Sequence, residues 1–267
     1  MAKKKTQHVA TWWAPAEVAV GYRLEGRLGS LALCIGHGED EWTLATSAIA
    51  EDEASTKAVF NIEKGLPENV DERFVHSGES GQVSLAPLLA DRPVVIRPRQ
   101  PVALLSGQTI TLYLSTPIWL KILVSDPPVM LKELPVLNLS DTWFGSSTRE
   151  GEICYAGRTH ARHNPAELPD RPHRAITPLT IHNKASSPLP LEKISLPVPM
   201  LALYGDDNGR LWTQSVTLTR EEHSNLAAVR IDSKAPESGR ELTRLAEPRQ
   251  EPGRFGVTRA FSLLFGD

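Results

Sequence analysis

Hydrophobic and polar positions alternate most cleanly between Gln108 and Ser115, where Ile110, Leu112 and Leu114 hold one phase and Thr109, Thr111, Tyr113 and Ser115 the other. A period of two places the aliphatic side chains on one face, so this segment predicts a half-buried strand. Pro117 resets the chain, and residues 118–124 follow as an apolar run suited to a sheet interior, ended by Asp126, Pro127 and Pro128. Proline has no amide to give a ladder, so Pro93, Pro98 and Pro117 are expected at strand ends, edges or bulges.

Shorter patterns repeat this theme. Residues 28–35 predict a strand after Gly26 and Gly29, and Gly36 to Asp40 a turn into a second strand from Glu41. Residues 46–58 fit neither period, and the acidic triplet Glu51, Asp52 and Glu53 suggests an exposed loop or one short helix. Strand signals return at 73–76, 82–85, 189–196 and 200–204. Asp206, Asp207, Asn208 and Gly209 then predict a hairpin into a strand over 210–218, because Asn and Gly both tolerate positive φ. Two short helices are expected at 219–222 and 238–246, where a Ser or Thr precedes a Glu by three residues in capping-box fashion. The sum is an all-β chain of antiparallel β-sandwich or jelly-roll-like sheets with few short helices. It divides near residue 130 into parts 1–130 and 131–267, or forms a single domain.

Composition supports a packed chain. Of 267 residues 40% are hydrophobic, so the 21 prolines read as punctuation rather than as the mark of disorder. The formal charge of −3 is spread without a basic half, which gives no field for phosphate-driven nucleic-acid binding. Lys3, Lys4 and Lys5 form the one basic run and read as a solvated tail. Cys34 and Cys154 lack redox-pair or zinc spacing and read as reduced, buried thiols of a cytoplasmic protein. No leader pattern and no run of about eighteen apolar residues is present, so no direct membrane insertion is expected.

Candidate chemistry concentrates between Asp141 and His163. Arg149 and Arg158 could clamp an anion bidentately beside the hydroxyls of Ser146, Ser147 and Thr148, with Glu150 and Glu152 adjacent. The competing reading is a glycine-rich turn entering a strand. His160 and His163, with His173 and His182 downstream, raise a metal site, but ligand spacing is missing and Arg158, Arg162, Arg171 and Arg174 would oppose a dication. Neither a Gly-x-Ser-x-Gly elbow nor a phosphate-binding glycine loop occurs, so no catalytic residue and no cofactor is assigned. Glycosidase chemistry would need two carboxylates about 5–10 Å apart, a spacing that the sequence neither shows nor excludes.

Two apolar segments suit partner binding or core coverage: Trp12 and Trp13 near the start, and Phe255, Val257, Phe261, Leu263, Leu264 and Phe265 near the end. The arginines of 92–99 read as partners of acidic neighbours.

Four motifs resemble an uncharacterised prokaryotic family, domain of unknown function 432: Asp91-Arg-Pro-Val-Val-Ile-Arg-Pro98, Ser115-Thr-Pro-Ile-Trp119, Asp141-Thr-Trp-Phe-Gly145 with Thr148-Arg-Glu-Gly151, and Leu211-Trp-Thr213. The resemblance implies no established activity and hence no catalytic residues. It also implies an association with small-conductance mechanosensitive channels. The function expected is therefore a non-enzymatic protein-binding or accessory module, whose partner is a protein, with the cytosolic face of such a channel as the partner the resemblance implies. That would place the chain in the cytoplasm, peripheral at the inner membrane through its partner. The alternative is a small-ligand or carbohydrate-binding β protein, or a hydrolase, using Arg149, Glu150, Glu152 and Arg158.

Overall fold

The structure, a computed structural model, describes residues 11–49, 58–76, 78, 80–98, 102–145, 147–159, 161–222 and 227–251. It is all-β, and the helices among these residues are single 3₁₀ turns at Pro165–Glu167 and Val198–Met200. A short β1 (Ala16–Glu17) precedes β2 (Tyr22–Leu28), β3 (Leu31–His37) and β4 (Glu41–Ala48), which are successive neighbours in an antiparallel sheet. Its edges are β5 (Val59–Lys64), paired with β2, and β6 (Glu72–Val75), paired with β4. In this register Leu24, Ile35 and Leu44 stand opposite one another, so the period of two delivers all three to the buried inner face. Removing a side chain of this size from water stabilises the fold by about 1.5–3 kcal/mol. His37 lies on the same face, stacked on Trp42 with ring centroids 4.0 Å apart and its Nδ1 2.7 Å from the Val18 carbonyl oxygen.

The chain continues through β7 (Gln82–Leu88), β8 (Val94–Pro98), β9 (Val102–Leu104), β10 (Thr109–Pro117), β11 (Trp119–Val124) and β12 (Val129–Pro135). A second sheet, in the order β1-β7-β11-β12, lays Val83, Leu85, Leu120, Ile122 and Val124 on one buried face. Ile118 is the crossing between sheets: its amide donates to the His173 carbonyl and its own carbonyl accepts from Val136. Pro117 therefore ends β10, and the next strand belongs elsewhere.

Past residue 135 come β13 (Asp141–Gly145), β14 (Gly151–Thr159), β15 (Arg174–Asn183), β16 (Leu189–Leu191), β17 (Ile194–Leu196), β18 (Leu203–Gly205), β19 (Leu211–Thr213), β20 (Val216–Arg220), β21 (Ala227–Ile231) and β22 (Thr243–Ala246). β15 organises this half. One edge of it pairs antiparallel with the whole of β10, while the other is shared by β19 and β20, both parallel to it. Strands on either side of residue 130 thus pair directly, as do β8 with β14 and β17, and β9 with β16. The main hydrophobic cluster draws on all five sheets, from Trp12 to Ala227.

Four sequence expectations change. The strand expected over 28–35 is a hairpin, with Gly29 at φ +57° turning β2 into β3. The run 189–196 divides between two sheets, and 210–218 breaks at Gln214, whose side chain bridges the Ala202 amide and the Asp232 carbonyl. Neither capping box starts a helix. Glu222 accepts from the amide and hydroxyl of Ser186, and the Ser238 hydroxyl exchanges hydrogen bonds with the Arg240 backbone in a local turn. Those side chains are spent on tertiary and turn contacts that compete with the cap.

Candidate functional site

β13 and β14 form a ribbon whose register sets Trp143 directly opposite Ile153, and Asp141 opposite Tyr155. Directly opposite residues share a face, so these four side chains point the same way. The other face carries Phe144 and Cys154, both fully buried against Val95. On the outer face Trp143 remains 46% exposed and Ile153 54%, values that leave a contiguous apolar pair in water. Trp143 is nevertheless fixed: its Nε1 donates to the Ser147 carbonyl at 2.8 Å, and a Cβ built on Gly151 would come within 2.7 Å of its Cε2. Gly151 is thus the position that lets the indole lie on the ribbon. Next to the pair, the Tyr155 hydroxyl donates to Asp91 at 2.9 Å, Arg92 sits 5.3 Å from the Tyr155 ring centroid, and Arg92 pairs with Asp141 at 3.3 Å. Burial and the Asp91 carboxylate hold the Tyr155 phenol above its usual range.

The residues expected to bind a ligand are spread along the same ribbon in its backbone register. Arg149 and Glu150 are exposed at its tip, where both backbone amides donate to the Ser147 hydroxyl. Arg158 lies near the far end of β14, opposite Arg97, and six residues from Glu152 amount to about 20 Å of strand. The register thus sets Arg158 toward the opposite end of the ribbon from Arg149. Ser146 and His160 lie outside the described residues, as do Phe255, Phe261 and Phe265.

Trp12 is buried rather than displayed, in edge contact with Trp13 at 5.4 Å and 6.5 Å from Phe60. It walls an apolar cleft of about 530 Å³ between the two N-terminal sheets, lined also by Leu24, Phe60, Ile62, Val83 and Leu85. The cleft opens at β5, whose outer edge is unpaired among the described residues. A second hollow, of about 550 Å³, lies on the outer face of the β2–β5 region over the small residues Ala32, Cys34 and Ala45. Its carboxylates are already engaged: Glu25 and Glu63 by Arg23, and Asp71 by the amide and hydroxyl of Thr46.

Several groups among the described residues that could do covalent chemistry are buried or held in structural contacts. Burial pushes the Cys34 thiol up to about 11 and Cys154 up to about 12, far from thiolate reactivity. His76 Nε2 lies 2.6 Å from the buried Ser125 hydroxyl, and His182 Nδ1 2.8 Å from Thr109, the first joining two sheets and the second spanning one register pair. His163 is exposed and His173 buried, and among the described residues no three His, Cys, Asp or Glu side chains are placed to hold a metal ion. Nor is any helix among them long and apolar enough to cross a membrane.

Fold and surface together define an all-β protein with an apolar, pinned aromatic ribbon. The chain belongs to the family described as protein of unknown function DUF432, whose model matches residues 12–265. No curated protein and no solved structure matches it. Sequence reasoning passed over Trp143 and Ile153 as ligands. The usable signal was the odd spacing of Trp143 and Gly145 beside Gly151 and Ile153, which pairs them once the hairpin is closed.

Proposed function

We propose that this protein is a non-enzymatic binding module that engages another protein through the outer face of the β13–β14 ribbon. The observation that carries the reading is Trp143, about half exposed yet pinned by Ser147 and Gly151 beside an exposed Ile153. A fixed aromatic side chain has little rotamer freedom left to lose on association, and binding energy concentrates on such anchors. Arg149 and Glu150 at the tip supply a charged rim around an apolar centre, the usual anatomy of an interface. The partner is a protein with a complementary apolar recess. The family resemblance makes the cytosolic face of a mechanosensitive channel the first partner to test, which would make the chain a peripheral cytoplasmic subunit.

The test is affinity capture of native-level protein from detergent-solubilised cells of its own source, comparing wild type with Trp143→Ala and Ile153→Asp. A single exposed anchor of this kind contributes about 2 kcal/mol, roughly a thirtyfold loss of affinity when truncated. Equal recovery of the same partner by all three proteins would remove the ribbon from the interface. Recovery of a channel by wild type alone would fix the finer assignment.

A further inference from the structure

We propose that the hollow between the start of β15 and the 168–171 segment binds the carboxylate of a small aliphatic acid, and that the chain's own Asp170 holds the place until such an acid arrives. Three guanidinium groups line it, those of Arg171, Arg174 and Arg210, and Asp170 is the one carboxylate among the described residues around it. The sheet register brings two of these cations together. Ala175 and Leu211 are partners in the parallel β15–β19 pairing, so Arg174 and Arg210 stand side by side one step earlier, on chains about 5 Å apart. Like charges at neighbouring positions of a sheet repel, and an anion beside them removes that cost. The third arginine is brought in by the backbone: the Arg174 amide donates to the Arg171 carbonyl at 3.1 Å, closing the turn that carries Arg171 beside the start of β15. The buried imidazole of His173, inside that turn, is pushed down to about 4 by burial and then by Arg174 and Arg171, which registers the positive field of the site.

The contacts already made there define the ligand. Arg174 is buried, and it donates from Nε to the Ser115 hydroxyl at 3.1 Å and from Nη2 to the Ser115 carbonyl at 2.6 Å, which fixes the plane of its guanidinium. Arg210 donates from Nε to Asp170, so a carboxylate is the group this cluster accepts. The Asp170 side chain is 71% exposed, and an ion pair so open to water is weak and exchanges readily. Leu168 packs with Ile176, Tyr204 and Trp212, which keeps the 168–171 backbone in place when the Asp170 side chain turns away. With Asp170 seated, about 10 Å³ is left, room for one water-sized group. The rest of the wall is aliphatic: Leu168, Ile176 and Leu211, all buried, with Pro169. Guanidinium on one side and aliphatic carbon on the other match an acid whose carboxylate is followed by methylenes, whereas the outward oxygens of a phosphate would face a wall without donors. Each methylene an incoming acid buries there adds up to about fourfold in affinity.

The experiment uses the full chain. Acetate, butyrate and inorganic phosphate are each titrated against chloride at constant ionic strength, and the Nε–H resonances of Arg174 and Arg210 are followed by NMR. Butyrate should shift both saturably with one dissociation constant, and should bind several-fold more tightly than acetate. Asp170→Asn, which removes the internal competitor, should tighten butyrate about threefold, while Arg210→Leu should weaken it about tenfold. Arg230→Leu and Asp232→Asn make the same changes of charge at an exposed ion pair elsewhere and should leave the affinity within about twofold. Absence of a saturable butyrate shift in Asp170→Asn overturns the proposal. Phosphate binding in place of butyrate overturns it too, as do control variants whose effects match those at the site. If Arg210→Leu fails to fold, Arg171→Gln at an exposed position carries the test: several-fold weaker butyrate binding is expected, and unchanged affinity overturns the assignment.

Discussion

The two lateral edges of the N-terminal sandwich are built from the same kinds of strand and finished in opposite ways. At the β6 and β12 side the sheets are tied by polar links: Lys132 pairs with Glu72, and His76 meets the buried Ser125 hydroxyl at 2.6 Å. The exposed apolar side chains there, Val75, Val129 and Met130, sit at or near strand ends. At the β5 and β1 side the contacts are rings, Trp12 against Phe60 and Trp13, and between the sheets lies the apolar cleft. Charged residues on an edge discourage further strand pairing, whereas an apolar opening beside an unpaired strand invites an occupant. One edge is tied by polar side chains; the other keeps an apolar opening among the described residues.

Substitutions can break this contrast, beginning with the open edge. Gly26 is the place on β2 where Phe60 of β5 lies down: an added Cβ would meet the Phe60 Cδ1 at 2.2 Å and the Val59 carbonyl at 2.3 Å. Gly26→Val should push β5 off β2 and cost about 3 kcal/mol, seen as an earlier midpoint in urea unfolding. An unchanged midpoint would mean that Phe60 is not seated there.

The end of the sandwich gives the next effect and depends on pH. His173 is buried against the Gly29 turn, and burial, with Arg174 and Arg171 beside it, lowers its pKa to about 4. The unfolded imidazole titrates near 6.5, so the unfolded state takes up a proton that the folded state refuses over this interval. Its stabilising contribution is complete above about pH 6.5 and drains away as pH falls toward 4, by about 3 kcal/mol in all. His173→Leu should flatten that stretch of the stability–pH curve. A wild-type curve flat from pH 7 to 4.5 would contradict the buried, neutral imidazole.

Smallest are the effects at the latched edge. His76→Ala leaves the Ser125 hydroxyl without its partner and should cost about 1–2 kcal/mol, while Lys132→Ala, removing a half-exposed ion pair, should cost under about 1 kcal/mol. Thermal melts that reverse this order would show that the ion pair, not the buried hydroxyl contact, holds the edge.

Legibility in the sequence followed how locally a residue's environment is decided. The alternation at 109–115 became β10 with Leu112 and Leu114 buried, and Asn208-Gly209 became the β18–β19 hairpin, closed by Asp206 accepting from the amides of Asn208 and Arg210. β2 was passed over because its inner-face position 26 is a glycine, and the apolar group filling that place is Phe60, more than thirty residues away. Trp143 gave no sign of being exposed, since burial of Phe144 and exposure of Trp143 depend on which face of the ribbon meets Val95.

By itself the sequence determined the class: period-two runs cut by proline and glycine can satisfy their backbone groups only in sheets, and the missing catalytic motifs follow from residue types alone. Which strands lie side by side, that Ile118 hands the chain from one sheet to another, that Arg149 and Arg158 fall toward opposite ends of the β13–β14 ribbon and that β5 has no outer neighbour among the described residues were decided in three dimensions. Those outcomes depend on contacts between residues distant in sequence, and a pattern read along the chain carries the period of a strand but not the identity of its neighbour.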